Sequence, residues 1–194
     1  LRADSAAKVG GWEGFRKFVV DKKVKESEEV TSFYLKPEDG GPIPPYEAGQ
    51  FTCFRLEIPG EGLCYRSYTL STASGKGHFR VSIKREVGVR RYPNGVSSNY
   101  FHDNIKVGDV LDVAPPYGEL TLVDTDRPLV FIAGGIGVTA MFSMAQSAVE
   151  SAPGGLRIDG TLVTSPFVFD VIGDPHTLSG ALNLVGGPVA QFHD

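Results

Sequence analysis

An antiparallel β-barrel or sandwich followed by an α/β unit is the fold class that the 194-residue sequence predicts. Three observations carry the prediction. From Phe15 to Leu122, short β-rich segments alternate with turn residues. At residues 129 to 133 a continuous apolar run replaces the alternation, and a glycine-rich turn then opens into a helical pattern.

The first half holds six candidate strands: FRKFVVDKKVKES, VTSFYLKP, GQFTCFRLEI, CYRSYTLST, GHFRVSIKRE and DVLDVAPPYGELTL. EDGGPIPP, PGEG, ASGKG and KVGD punctuate them. In FRVSIKR the alternation sends Phe79, Val81 and Ile83 one way and Arg80, Ser82 and Lys84 the other. Six such strands at this spacing fit an antiparallel barrel or sandwich. One short helix is expected over SSNYFHDN, with Ser97 or Ser98 capping its first turn.

After DTDRP the pattern changes. LVFIA, residues 129 to 133, is expected to be a strand covered on both faces in a parallel sheet. Gly134, Gly135 and Gly137 then make a tight turn, and Thr139 caps a helix carrying Met141, Met144, Ala145 and Ala148. Strand, glycine turn and helix together signal a nucleotide-binding βα unit, with a boundary near Asp124 to Arg127. Beyond Ser151, glycines dilute every pattern: LRIDGTLVTSPFVFDVI allows one or two strands and HTLSGALNLV a helix or a strand.

Composition narrows the function classes. A net charge of −4 and a pI near 5.6 give no electrostatic footprint for nucleic acid. The local cluster Lys84, Arg85, Arg90 and Arg91 reads as a solvated loop face, with a phosphate-facing role open for one or two members. No apolar run approaches the roughly 18 residues of a spanning helix, and the N-terminus lacks the marks of a signal peptide, so no membrane partner and a cytoplasmic location are expected. The chain starts at Leu1 rather than methionine, which points to a processed, truncated or partial chain. Cys53 and Cys64 are spaced as reduced, structural thiols, and His78, His102, His176 and His193 lack metal-ligand spacing, so no metal is expected.

Three constellations carry chemistry. Gly135-x-Gly137-x-x-Ala140 fits the relaxed dinucleotide fingerprint, in which glycine lets the backbone approach a pyrophosphate at a helix N-terminus. Asp159 is a candidate ribose-binding acid or an ordinary turn aspartate. In the barrel half, Arg66 can clamp a phosphate, Tyr68 can stack on a flat ring and Thr69 can bond that ring's reactive edge; the same residues also fit a merely polar, exposed strand. Gly95, Ser97 and Ser98 open a helix whose backbone N–H groups suit an anion, or serve as a plain serine cap. Two phosphate sites in one chain suit an enzyme holding two nucleotide cofactors, of which flavin plus nicotinamide is the economical pair.

These residues carry a resemblance. Arg66-Ser67-Tyr68-Thr69-Leu70-Ser71 resembles the Arg-x-Tyr-Ser/Thr flavin motif of the ferredoxin–NADP reductase superfamily. Gly95-Val96-Ser97-Ser98 resembles its Gly-x-x-Ser pyrophosphate motif, and Gly134-Gly135-Ile136-Gly137-Val138-Thr139 its nicotinamide-nucleotide motif. Within the superfamily, residues 5 to 149 look most like the reductase half of flavohaemoglobins, through AGQF, FRVSIKRE, PNGVSSNYFHD, VGDVLDVAPPYGELTL and PLVFIAGGIGVTAMFSM.

The resemblance implies an antiparallel Greek-key FAD-binding barrel over residues 13–124 and an α/β parallel-sheet nicotinamide domain over 125–194, atypical or incomplete after 150. It also implies that residues 1–12 are the remnant of a preceding globin helix and linker. By the same resemblance, Arg66 would hold a flavin phosphate, Tyr68 would pack on the isoalloxazine with Ser67 beside it, and Thr69 would sit near its reactive nitrogen. Phe51 would stand where a flavin-contacting tyrosine is common, Gly95 to Ser98 would bind pyrophosphate, and Gly134 to Thr139 would meet NAD(P)H. Tyr68 and Thr69 would thus flank the chemistry.

Two departures accompany the likeness. Ala140 stands where the family usually has proline. LVGGPVAQF, residues 184 to 192, is the nearest match to the family's Cys-Gly-Pro strand, with glycine for the cysteine, so the nicotinamide domain is expected to be shortened or altered. The implied function is electron transfer from NAD(P)H through FAD to haem in a globin domain outside this chain, serving conversion of nitric oxide and dioxygen to nitrate, in a monomer. A free-standing NAD(P)H flavin or ferredoxin reductase is an alternative, as is a degenerate flavin-binding module without turnover.

Overall fold

The structure, a computed structural model, describes residues 8–87, 95–125, 129 and 131–151, together with the backbone of three short strands beyond them. All six expected barrel strands form: β1 Arg16–Lys25, β2 Val30–Pro37, β3 Phe51–Ile58, β4 Gly62–Thr69, β5 Phe79–Lys84 and β6 Val110–Val113. They make one antiparallel sheet in the order β4-β3-β6-β1-β2-β5. Because β6 returns to lie between β3 and β1, the connection is of the Greek-key kind. The sheet curls until Leu70 bridges Val81, which brings the ends of β4 and β5 together.

Period-two alternation builds the core. Phe79, Val81 and Ile83 of β5 are fully buried, as are Phe18 and Val20 of β1, Phe33 and Leu35 of β2, and Phe54 of β3. Each such side chain contributes about 2 kcal/mol by leaving water. Trp12 closes one end: its ring lies 5.5 Å from that of Phe18, and its indole N–H donates to the Val113 carbonyl at 3.0 Å. Of the expected globin remnant, residues 1–7 lie outside the described residues, and residues 8–10 form a turn rather than a helix.

Helix α1, Val96–Asp103, caps the barrel. Phe101 packs edge-on against Phe33 and Phe54 at 5.2 and 5.3 Å. The Lys23 ammonium, rooted in β1, donates to the carbonyls of His102 and Ile105 at the C-terminal end of α1 at 2.8 and 2.7 Å, which favours the negative end of the helix dipole. Arg85 pairs with Asp103 and Asn99 on the same helix. That fixes one member of the basic cluster as a structural ion pair; Arg90 and Arg91 lie outside the described residues. Gly95, not Ser97 or Ser98, is the N-cap, and no side chain caps the helix. Both serines lie inside the helix, and the Ser98 hydroxyl is engaged by the Glu86 N–H and the Gly95 carbonyl; Gly95 itself packs so tightly on Glu86 that an added Cβ would lie 2.6 Å from the Glu86 Cβ.

The second half differs from expectation at its first element. No strand forms at Phe131 to Ala133: Ile132 is 64% exposed, whereas Ala133 is buried and Phe131 packs on the Ala48–Ala140–Met144 cluster. A strand covered on both faces needs a partner on at least one edge. The described strands that could provide one, β7 Ile158–Val163, β8 Asp170–Gly173 and β9 Leu184–Val185, pair with each other in the order β8-β7-β9. Only β7 and β9 run parallel.

The expected glycine turn and helix do form, as a 3-10 turn, Gly135–Gly137, running into α2, Val138–Ser151. Thr139 does not cap α2: it lies inside the first turn, and its hydroxyl donates backwards to the Ile136 carbonyl at 2.9 Å. Ala140, Ser143 and Met144 seat α2 on the barrel. The Ser143 hydroxyl donates to the Thr72 carbonyl at 3.0 Å, and the Gln146 side-chain oxygen Oε1 accepts from the Ala73 N–H at 3.0 Å and the Thr72 hydroxyl at 3.2 Å. Gly49 makes this approach possible, because a Cβ there would collide with the Leu120 carbonyl and the Met144 methyl.

Candidate functional site

β4 is an end strand of its sheet, so from Gly62 to Thr69 its outer edge is paired with no described strand. It offers a ligand free backbone groups and side chains of both faces. The register divides the candidate residues. Arg66 lies opposite Phe54 and Tyr68 opposite Thr52, on the core side; Ser67 lies opposite Cys53 and Thr69 opposite Phe51, on the outer side.

On the core side, Tyr68 meets α1. Its ring lies 5.4 Å from Phe101 and 5.8 Å from Phe54, both edge-on. Burial pushes the phenol up to about 12; Arg66 opposes the rise and Glu86 adds to it. The hydroxyl therefore stays neutral at physiological pH. Arg66 is exposed and donates to the neighbouring Tyr65 carbonyl at 2.9 Å. No carboxylate among the described residues forms an ion pair with it.

α1 adds Gly95 to Ser98. Ser98 is committed to the fold: its hydroxyl accepts the Glu86 N–H at 3.1 Å and donates to the Gly95 carbonyl at 3.3 Å. Ser97 is not, for its hydroxyl is buried with no hydrogen-bond partner among the described residues. A buried hydroxyl without a partner is costly unless a ligand completes it. Val96 is 36% exposed at the rim. A cleft of about 750 Å³ continues from here, lined by Ile58, Pro59 and Glu61 of the β3–β4 turn and by Gly95, Asn99 and Tyr100.

On the outer side, sequence reasoning missed Tyr117. Its ring lies 4.2 Å from that of Phe51, and its hydroxyl is 3.4 Å from that of Ser67. Gly118 holds φ +131, and a Cβ there would lie 2.9 Å from the Phe51 ring. The Tyr-Gly pair after Pro115-Pro116 was the available signal.

The nicotinamide-type motif lies in a second region. Gly135 takes φ +52, a conformation that favours glycine. Gly137 has open space where a Cβ would stand, so its backbone is accessible. A cavity of about 340 Å³ adjoins this motif, lined by Gly135, Ile136, Val138 and Thr139 on one side and by Arg80 and Lys84 of β5 on the other. Gly134 is exposed at the entrance to the 3-10 turn. Asp159 lies in β7, where only the backbone is described.

Cys53 and Cys64 are free thiols. Among the described residues, no group of His, Cys, Asp and Glu side chains could hold a metal, and no helix is long and apolar enough to cross a membrane.

A family model for the oxidoreductase FAD-binding domain matches residues 17–122. A flavohemoprotein of Bacillus thuringiensis subsp. konkukian is 48% identical over 149 residues, 76% of this chain and 37% of the relative. One of Pseudomonas aeruginosa is 47% identical over 77% of this chain and 36% of its own length. The chain thus spans little more than a third of the curated relatives it matches. Among solved structures, the FAD/NAD binding domain of nitric oxide dioxygenase from Vibrio cholerae superposes with a TM-score of 0.66 at 38% identity, covering 72% of this chain and 58% of that one. Flavohemoglobin from Malassezia yamatoensis, with bound FAD and heme, gives 0.62 at 27% identity over 77% and 38%.

Proposed function

The chain belongs to the family of oxidoreductase FAD-binding domains, and from that premise we propose that it is the reductase module of a flavohaemoglobin. In this role it takes electrons from NAD(P)H and, with FAD as its redox group, passes them to haem in a globin domain. In the intact protein these electrons serve the conversion of nitric oxide and dioxygen to nitrate. The barrel over 13–124 is the flavin domain and 125–194 the nicotinamide-binding part, with 1–12 the join to the globin. The whole works as a cytoplasmic monomer.

One observation carries the flavin site: α1, whose Ser97 hydroxyl is buried with no partner among the described residues, meets the end strand β4 through Phe101 and Tyr68, and Arg66 of that strand is paired with no described carboxylate. Both are donors that a phosphate would complete. Arg66 supplies a charged fork, and the backbone N–H groups of Gly95 to Ser98 add the positive end of a helix. When bound, FAD supplies the exchange between an electron pair and single electrons that joins NAD(P)H to haem.

The chain's own residues bind and orient. Tyr68 offers a neutral phenol and an aromatic edge anchored by Phe54 and Phe101. Thr69, Ser67 and Phe51 form the other bank of the same edge, with the Thr69 hydroxyl assigned to the reactive side of the ring. Gly134 to Thr139 take the NAD(P)H pyrophosphate, Gly137 leaving the approach open.

One observation favours a second reading, a flavin-binding module without turnover: Phe131 to Ala133 do not form the strand that would underlie a nucleotide site. Anaerobic stopped-flow mixing of the FAD-loaded chain with NADH or NADPH separates the two. Loss of the flavin colour supports the reductase; a protein that stays yellow supports the second reading.

A further inference from the structure

The cavity facing the Gly135–Thr139 turn contains two cations, and both are already paired. Arg80 binds Glu26 at 2.7 Å, and Lys84 lies 3.3 Å from Glu29. All four side chains line the cavity, and their formal charges cancel. Both carboxylates come from the β1–β2 turn, which is closed by Glu26 N–H to the Val30 carbonyl at 2.9 Å. The Ser27 hydroxyl supports it by accepting from Val30 N–H at 3.1 Å.

Arg80 is also fixed by its fold. Its Nε donates to Ser32 at 3.3 Å, and its guanidinium lies over the rings of Tyr34 and Phe142 at 5.6 and 5.5 Å. A cation held by two rings and a hydroxyl keeps its position when its carboxylate leaves. Lys84 has 38% of its side chain exposed. The third acid of the turn, Glu28, has a side chain 95% exposed and faces Lys25 at 3.8 Å instead.

We propose that Glu26 and Glu29 are built-in competitors for the phosphates of the pyridine nucleotide. They neutralise Arg80 and Lys84 while the cavity is empty and set how tightly the nucleotide binds. This rests on the assignment of Gly134 to Thr139 to NAD(P)H. An entering pyrophosphate meets the positive end of α2 on one wall and displaces two carboxylates on the other. Affinity is thereby lowered and release made easier, with no change in the groups that contact the nucleotide.

The test is calorimetric titration of the FAD-loaded chain with NADP+ and with NAD+, at low and moderate salt. It compares the parent with Glu26→Gln, Glu29→Gln, the double variant, and Glu28→Gln as a same-turn, same-charge control. For whichever nucleotide binds the parent, the double variant should bind about three- to tenfold tighter, as expected for releasing two partly exposed ion pairs, and Glu28→Gln should match the parent. The double variant should also lose affinity more steeply with salt, since its cations no longer carry internal counter-charges. Equal or weaker binding by the double variant overturns the inference and leaves the nucleotide assignment standing. An equal gain in Glu28→Gln also overturns it, by reducing the effect to net charge. If neither nucleotide binds the parent, the assignment fails and the inference with it.

Discussion

Ser97 and Ser98 are neighbours on α1 with opposite commitments: the Ser98 hydroxyl is bonded to Glu86 and Gly95, and that of Ser97 is buried with no partner among the described residues. The motif does not distinguish them, but their hydrogen bonding differs, and under the proposed function their roles are separable. Ser97→Ala should leave the flavin-free chain as stable as the parent or slightly more so, because it removes an unsatisfied group. Its FAD affinity should fall about three- to tenfold, the worth of one hydrogen bond. Ser98→Ala should instead cost about 1 kcal/mol of stability. Thermal melts of the flavin-free proteins, with FAD titrations, resolve the two.

Arg66 is exposed, and its described hydrogen bond is to its neighbour's carbonyl. Arg66→Ala should therefore change flavin-free stability by less than about 0.5 kcal/mol. FAD binding should weaken about tenfold to a hundredfold, as one charge-assisted contact is lost. Full flavin occupancy in the purified variant contradicts the assignment.

Tyr68 titrates at about 12 in the fold against an ordinary 10.0, with burial as the main cause. A raised folded pKa gives stability that is whole below about pH 10 and is lost as pH rises toward 12. Urea unfolding between pH 9 and 12 should show the parent losing about 2 kcal/mol more than Tyr68→Phe. Tyr46, also raised by burial, adds a loss of the same sign that is common to both proteins. Equal pH dependence of the two chains excludes a buried Tyr68 phenol.

Gly135 and Gly137 should separate in the same way. Gly135 holds φ +52, so Gly135→Ala costs about 1 kcal/mol of stability. Gly137→Ala meets no atom within 4 Å and should fold normally. Its nucleotide affinity should nevertheless fall about tenfold, because the methyl stands where a phosphate must approach. Melting curves with nucleotide titrations check both.

The barrel was legible because its strands are buried on one face. FRVSIK declares its core side by alternation alone, and Phe79, Val81 and Ile83 are fully buried. LVFIA carried no such information. A continuous apolar run fits a strand covered on both faces, yet it equally fits a segment that buries Ala133, half-buries Phe131 and exposes Ile132. Strand formation there depends on partner strands, which the local sequence does not encode.

The candidate site residues were legible as motifs, and the division of those on β4 between its two faces followed from strand period. Two things were not. Tyr117 reaches Phe51 and Ser67 only through the long-range pairing of Phe51 with Tyr117. The Glu26–Arg80 and Glu29–Lys84 pairs join a turn to a strand far along the chain. The sequence offers Gly95 as a phosphate glycine, and its packing on Glu86 supplies a second, purely steric reason for a residue without a Cβ.

Under the proposed function, the edge of β4 and the N-terminus of α1 together hold FAD. The most direct test is the visible absorption spectrum of the purified chain after incubation with FAD and removal of the excess. Flavin bands near one equivalent per chain, reduced in Arg66→Ala and Ser97→Ala, are the predicted result. A colourless protein of intact fold contradicts it.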